Sequence, residues 1–438
     1  MPKFLKKKLT LSLIFIILIF FYYIVDLNFY KFQTIYFEKK WKYTKEKIFQ
    51  KNSKIFEEQN NGKIFFEGDE FNFLKISLEK NGLSYRDDYI YRPIGYIDIY
   101  KDRIIFAAHD GNFYYTNKID DLKKGITQIK KFKNSNFDFK FDINDEDPYR
   151  SILIRDILID NDSLYVVING RNKIKEDKYS LSTSVLKGEI SLDNNNITFE
   201  KFFDPKEIIV GSTDFSHSGG RIAKYKDNNF LLTVPDHALM DDYNLLIEKI
   251  NSKDSIVGKI LMINEKYFEI FSYGHRNPQG LFYDQINDII FETEHGPTGG
   301  DEINLIKKDH HYGWPLATYG AQIKDLNKFR EHNKNNFTEP LKFWWPRNCG
   351  MSEIIKIGNN FNKKWKGYNV LNACLSGSGA NQGESIYRWE YNINKEKLYK
   401  KNQYYIGDRI RDMKYSQKNK TLLLLLEDQK SLGLIYSN

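Results

Sequence analysis

Six times along the chain, a short apolar strand pattern meets a polar turn of Asp, Asn or Lys and returns as a second, more apolar strand pattern. The copies read IDIYKDRIIFAAHDG from Ile97, RDILIDNDSLYVVING from Arg155, RIAKYKDNNFLLTVPDH from Arg221, GLFYDQINDIIFETEHG from Gly280 and RDMKYSQKNKTLLLLLEDQ from Arg411, with a looser copy from Ser352 through Asn359-Asn360 to Gly377. Alternating or continuous apolar runs bounded by turn residues are the signature of paired strands. Their recurrence, at roughly 57 to 75 residues, suits a four-stranded blade with insertions. The pattern predicts an all-β fold, a six-bladed β-propeller over residues 72–438. A β-sandwich would not repeat one hairpin so often.

The N-terminal pattern is different. Lys3, Lys6, Lys7 and Lys8 precede an apolar and hydroxyl run from Leu9 to Val25 that Asp26 closes. At ~1.5 Å per residue such a run nearly spans a hydrocarbon core of ~30 Å. No small-residue cleavage site follows it, which favours an uncleaved anchor over residues 1–30 rather than a cleaved signal. The flanking lysines predict a cytoplasmic N-terminus, with the remainder facing the periplasm or exterior. Residues 31–71 form a stalk or linker in this reading. Within them Ile35, Phe37, Trp41, Tyr43, Ile48 and Ile55 permit an irregular amphipathic helix that ends near Asn60-Asn61-Gly62.

Charge and cysteine content narrow the partners. The formal net charge of +8 is spread among Lys, Asp and Glu without basic blocks, so no nucleic-acid footprint is expected. Cys349 and Cys374 fall in one predicted blade, where a disulfide and two separate buried thiols are both consistent with the pattern. The adjacent His310 and His311 point opposite ways on an extended segment and make a poor metal pair.

The chemistry concentrates between Gly274 and Pro315, in GHRNPQGLFYDQINDIIFETEHGPTGGDEINLIKKDHHYGWP. Glycines and prolines shape two polar loops at the ends of strand patterns, which is how a scaffold presents a site. Other polar clusters at hairpin ends are SHSGGR from Ser216, VPDH from Val234 and DRIRD from Asp408. Arg409 and Arg411, one residue apart on a predicted strand, share a face and repel unless an anion lies between them.

The GHRNPQGL and EHGPTGGDEINL segments, followed by YGWP, closely resemble the glucose/sorbosone dehydrogenase family, soluble quinoproteins that use pyrroloquinoline quinone (PQQ). The clear resemblance runs from Ser212 to the C-terminus. It implies oxidation of an aldose sugar or related alcohol, with His217 as general base. It implies that Arg276 and Asn277 face the quinone and that Arg409 and Arg411 hold its carboxylates. Backbone carbonyls of Gly296 and Pro297 would ligate a calcium ion that polarises the quinone. Glu302, through its carboxylate, and Tyr312, through its backbone oxygen, match a second calcium site. One departure stands out: Ser376 replaces a lysine that contacts the quinone in the family. A catalytically silent propeller that binds a carbohydrate or protein at its channel mouth is therefore the alternative, and a calcium-dependent hydrolase a distant third.

Overall fold

The computed structural model describes residues 62–437 except 82, 84–93, 109–110, 134–151, 176–177, 206–208, 212–216, 218, 240–241, 322–331, 333–335, 346–347 and 376–382. Each repeated hairpin forms the two innermost strands of a separate antiparallel sheet, and there are six such sheets among the described residues. Blade 1 spans Gly95–Lys131, blade 2 Ile152–Gly211, blade 3 Ile222–Tyr273, blade 4 Pro278–Trp344 and blade 5 Met351–Tyr405. Blade 6 combines Ile410–Ser416, Thr421–Leu426 and Ser431–Tyr436 with Asp69–Ser77 and Lys63–Phe66. Each innermost strand touches the next, from blade 1 through blade 6 and back to blade 1, so the ring is closed. The expected six-bladed propeller is the observed fold.

The start of the propeller needs correction. Lys63–Phe66 and Asp69–Ser77 are strands, not stalk, and Asn72 pairs with Tyr436 in the closing sheet. Their alternation buries Ile64, Phe66, Phe71, Phe73 and Ile76. The two strands form a hairpin of their own, which joins blade 6 because Asp69–Ser77 pairs with Ser431–Tyr436. The expected anchor at residues 9–25 and the helix over 31–59 lie outside the described residues. Among the described residues, no helix is long and apolar enough to cross a membrane.

Second strands of the blades are covered on both faces, which explains their continuous apolar runs. Thr421–Leu426 is buried at every position. Leu423 and Leu425 pack with Ile97, Ile104 and Phe106 of blade 1. On the other side of blade 6, Phe66, Phe71, Phe361, Trp365 and Tyr404 form a chain of ring contacts toward blade 5. Cys349 and Cys374 are joined as a disulfide in blade 5, with Cα atoms 5.4 Å apart.

Arg221 occupies the axis. Its guanidinium is 1% exposed and reaches every other blade. Nη1 lies 3.3 Å from Asp156, 3.0 Å from Glu353 and 3.2 Å from Asp412. Nε donates to the Gln279 carbonyl, Nη2 to those of Ser352 and Arg411, and the ring of Tyr96 lies 4.9 Å away. Lys414 adds a second cation beside Glu353 and Asp412. The carboxylates also link blades directly. Asp98 accepts from Ile159 N–H, Asp156 from Ile222 N–H and Asp412 from Ile97 N–H, each in the following blade. In blades 2, 4, 5 and 6 the innermost strand shifts register beside Arg155, Gln279, Ser352 and Arg411. A bulge of this kind re-aims one side chain out of the alternation.

Candidate functional site

His217 lies in the SHSGGR loop just before the first strand of blade 3. Gly219 and Gly220 have φ of +40° and +86°, and a Cβ at Gly220 would sit 2.6 Å from Cβ of Arg155. A side chain is excluded there, which lets the loop hug blade 2. His217 Nδ1 is 2.7 Å from Oδ1 of the fully buried Asp236, and Nε2 is 2.6 Å from Nη2 of Arg276. A guanidinium only donates, so Nε2 must accept and Nδ1 carries the proton to Asp236. The ring is thus a neutral imidazole with its base nitrogen turned toward Arg276. Burial alone would raise the Asp236 carboxyl, but His217 and then Arg276 hold it below the usual range. Asp236 also accepts from the Ala238 N–H and from the Trp314 indole, 3.0 and 2.9 Å away.

Arg276 binds two further loops together. Nη1 donates to the carbonyls of His295 and Gly296, both at 2.9 Å, and the guanidinium lies 5.3 Å over the Trp314 ring. Asn277 faces the SHSGGR loop, its Oδ1 accepting from Gly219 N–H and from Gln279. The structure therefore brings together His217, Arg276, Asn277 and Gly296 from three separate sequence motifs. His295 joins them, with Nε2 2.5 Å from the Met351 carbonyl. Burial lowers its pKa, and Arg276 and Arg411 press the same way.

The arginine pair departs from its expected setting. Arg409 Nε is 3.0 Å and Arg411 Nε 2.6 Å from the carboxylate of Glu427, which lies between them. The anion demanded by two neighbouring guanidinium groups is thus supplied by the chain itself. Glu427 was not anticipated, although its place just after the LLLLL strand, opposite Arg409 across the hairpin, was a usable signal.

Glu302 and Tyr312 open onto the same pocket as Arg276 and Gly296. Glu294, His295 and His332 also line it. His332 Nε2 is 3.7 Å from Glu302 Oε1. The Tyr312 side chain is structural, its hydroxyl donating to the Leu305 carbonyl at 2.6 Å. Gly296 and Pro297 are half-buried, and Gly296 N–H donates to Asp301, whose other oxygen accepts from Cys349 and Gly350 N–H. Ser376 lies outside the described residues.

The fold has counterparts among known proteins. A segment of this chain is 56% identical over 100 residues to aldose sugar dehydrogenase YliI of Escherichia coli, covering 22% of this chain and 27% of that protein. Quinoprotein glucose dehydrogenase B of Acinetobacter calcoaceticus is 27% identical over 235 residues, 41% of this chain and 48% of the relative. The chain thus spans about half the length or less of these curated relatives. The crystal structure of the soluble aldose sugar dehydrogenase from E. coli, in the apo-form, superimposes with a TM-score of 0.60 at 16% identity, over 79% of this chain and 96% of that one. That likeness bears out the propeller fold. The glucose/sorbosone dehydrogenase profile matches residues 152–436, well over half of the sequence, so the chain belongs to the glucose/sorbosone dehydrogenase family.

Proposed function

We propose that this protein oxidises an aldose sugar or related alcohol, with PQQ as electron acceptor and calcium bound beside it. The observation that carries the reading is the neutral His217 ring, held by Asp236 and presenting Nε2 at the channel mouth. Removing a hydroxyl proton needs a base of this kind, and a buried carboxylate behind the ring stabilises the imidazolium that results. Arg276 Nη2 donates to Nε2, so that bond must give way before the nitrogen can take a proton.

The donor set fits an anionic quinone. Arg276, Asn277, Arg409 and Arg411 would hold it through charge-assisted bonds, and the Gly296 and Pro297 carbonyls are hard oxygen donors suited to calcium. When bound, the quinone supplies the hydride acceptor and calcium polarises its carbonyl. The chain's own part is to orient the alcohol, remove its proton at His217 and surround the developing charge with Arg276. Glu302 and the Tyr312 carbonyl would hold a second calcium in the same pocket. Glu427 favours the alternative, a silent propeller, because it already satisfies both arginines.

Reconstituting the protein with PQQ and calcium separates the two readings. Quinone absorbance with dye reduction on adding aldoses supports the enzyme, whereas sugar binding without turnover supports the silent module. The reading includes an N-terminal membrane anchor with the propeller outside, so protease added to intact spheroplasts is expected to digest the propeller.

A further inference from the structure

Behind the Arg276 and Gly296 loops lies a second polar cluster in which carboxylates outnumber compensating cations. Glu292, Glu294 and Glu302 are all buried, on two adjacent strands of blade 4. The Asn304 amide nitrogen is 3.0 Å from Glu292, 3.1 Å from Glu294 and 3.5 Å from Glu302. Among the described residues, no lysine or arginine pairs with any of the three. Burying several carboxylates without a cation or proton is costly.

His275 completes the arrangement. It is fully buried beneath the Tyr312 ring, with which it stacks at 4.8 Å between centroids. Its Nε2 bonds to Ser272 Oγ at 2.9 Å, while Nδ1 has no hydrogen-bond partner and lies 3.6 Å from Glu294 Oε1. Glu292 Oε1 also lacks a partner. One ligand atom each from His275, Glu292 and Glu294 can be chosen so that all lie within 4.8 Å of one another. A ring nitrogen fixed by a hydroxyl on its far side, with its near side facing two carboxylates, is the usual disposition of a metal-bound histidine.

We propose that His275 Nδ1, Glu292 and Glu294 form a buried site for a divalent transition cation. Mixed imidazole and carboxylate donors suit zinc, manganese or cobalt, whereas calcium takes oxygen donors. The site borders the pocket of Glu302 and Tyr312 through Glu294, but its other two ligands, His275 and Glu292, do not line that pocket. Its effect on the molecule is mechanical. Glu294 uses its other oxygen to accept from the Arg276 N–H at 2.6 Å, so a cation here clamps the GHRN loop to the strand that leads into His295 and Gly296.

The test uses the full-length protein, stripped with chelator and titrated with Co²⁺ in the absence of any quinone. One equivalent of Co²⁺ with visible d–d bands is expected, together with a rise in Tm. His275→Gln and the near-isosteric Glu292→Gln are expected to weaken Co²⁺ binding by at least about tenfold, while Glu302→Gln keeps it. Glu292→Gln carries the test if the histidine variant does not fold. The proposal is overturned if no stoichiometric Co²⁺ binds, if Glu292→Gln binds like the wild type, or if Glu302→Gln abolishes binding. Equal competition by Ca²⁺ would also overturn it. Dehydrogenase activity is not a readout, so the result stands apart from the function proposed above.

Discussion

Nη2 of Arg276 stands 2.6 Å from Nε2 of His217, so the nitrogen suited to act as base faces a cation. The contact fixes the tautomer from one side while Asp236 fixes it from the other. Neither residue can be replaced without disturbing the ring's readiness to accept a proton.

His217→Gln is expected to lower kcat by ~10² to 10⁴, the usual contribution of a general base. Quinone and calcium binding should survive, because Gln cannot take the proton but fills the same space. Asp236→Asn should cost a comparable factor through the wrong tautomer. Steady-state kinetics beside a quinone titration check both, and wild-type turnover in His217→Gln would move the base to another residue such as His295.

Arg411→Ala is expected to weaken quinone binding before it affects turnover. A charge-assisted hydrogen bond contributes ~1.5 to 3 kcal/mol, or about one to two orders of magnitude in Kd. The same change leaves Glu427 with Arg409 alone, so a drop in Tm should accompany the loss of affinity.

Arg221→Met tests the axis. Three buried carboxylates would keep only Lys414 as a cation, and breaking a buried ion network costs ~3 to 5 kcal/mol. Denaturant unfolding should show a large loss of midpoint. A change below about 1 kcal/mol would mean that the axial network contributes little to stability.

Stability should also depend on pH through Glu353, whose carboxyl burial pushes up to about 8 despite Arg221 and Lys414. A folded-state value above the ordinary 4.5 means that the folded protein binds the extra proton. Its stabilisation is complete below the ordinary value and is lost as pH rises through about 8. Glu353→Gln is therefore expected to flatten the fall in Tm between pH 5 and 9, which thermal melts across that range would measure.

Much of the fold was written locally. Each repeated hairpin became a blade, because both of its strands and their turn lie within one short window. Leu422 to Leu426 announced a strand covered on two faces. Lys63–Phe66 and Asp69–Ser77 pair locally as a hairpin, but their place in blade 6 stayed hidden, since the strand that receives them is Ser431–Tyr436. The site divides in the same way. Arg276, Asn277 and Gly296 sat in recognisable loops. The partnership of Arg221 with Asp156, Glu353 and Asp412 joins strands far apart in sequence and leaves no local period. Asp236 stood in a polar cluster at a hairpin end, but nothing local ties VPDH to SHSGGR. Glu427 looked like an ordinary turn residue.

The pairing of Asn72 with Tyr436 sets the order of events during synthesis. Blades 1 to 5 can each emerge whole from the ribosome, but blade 6 lacks its outer strands until its own C-terminal strands meet Asp69–Ser77. Throughout translation that early strand waits with an unpaired edge. Ser431–Tyr436 shuts the ring, so loss of that one strand would leave Asp69–Ser77 paired only with Lys63–Phe66 and the cylinder open.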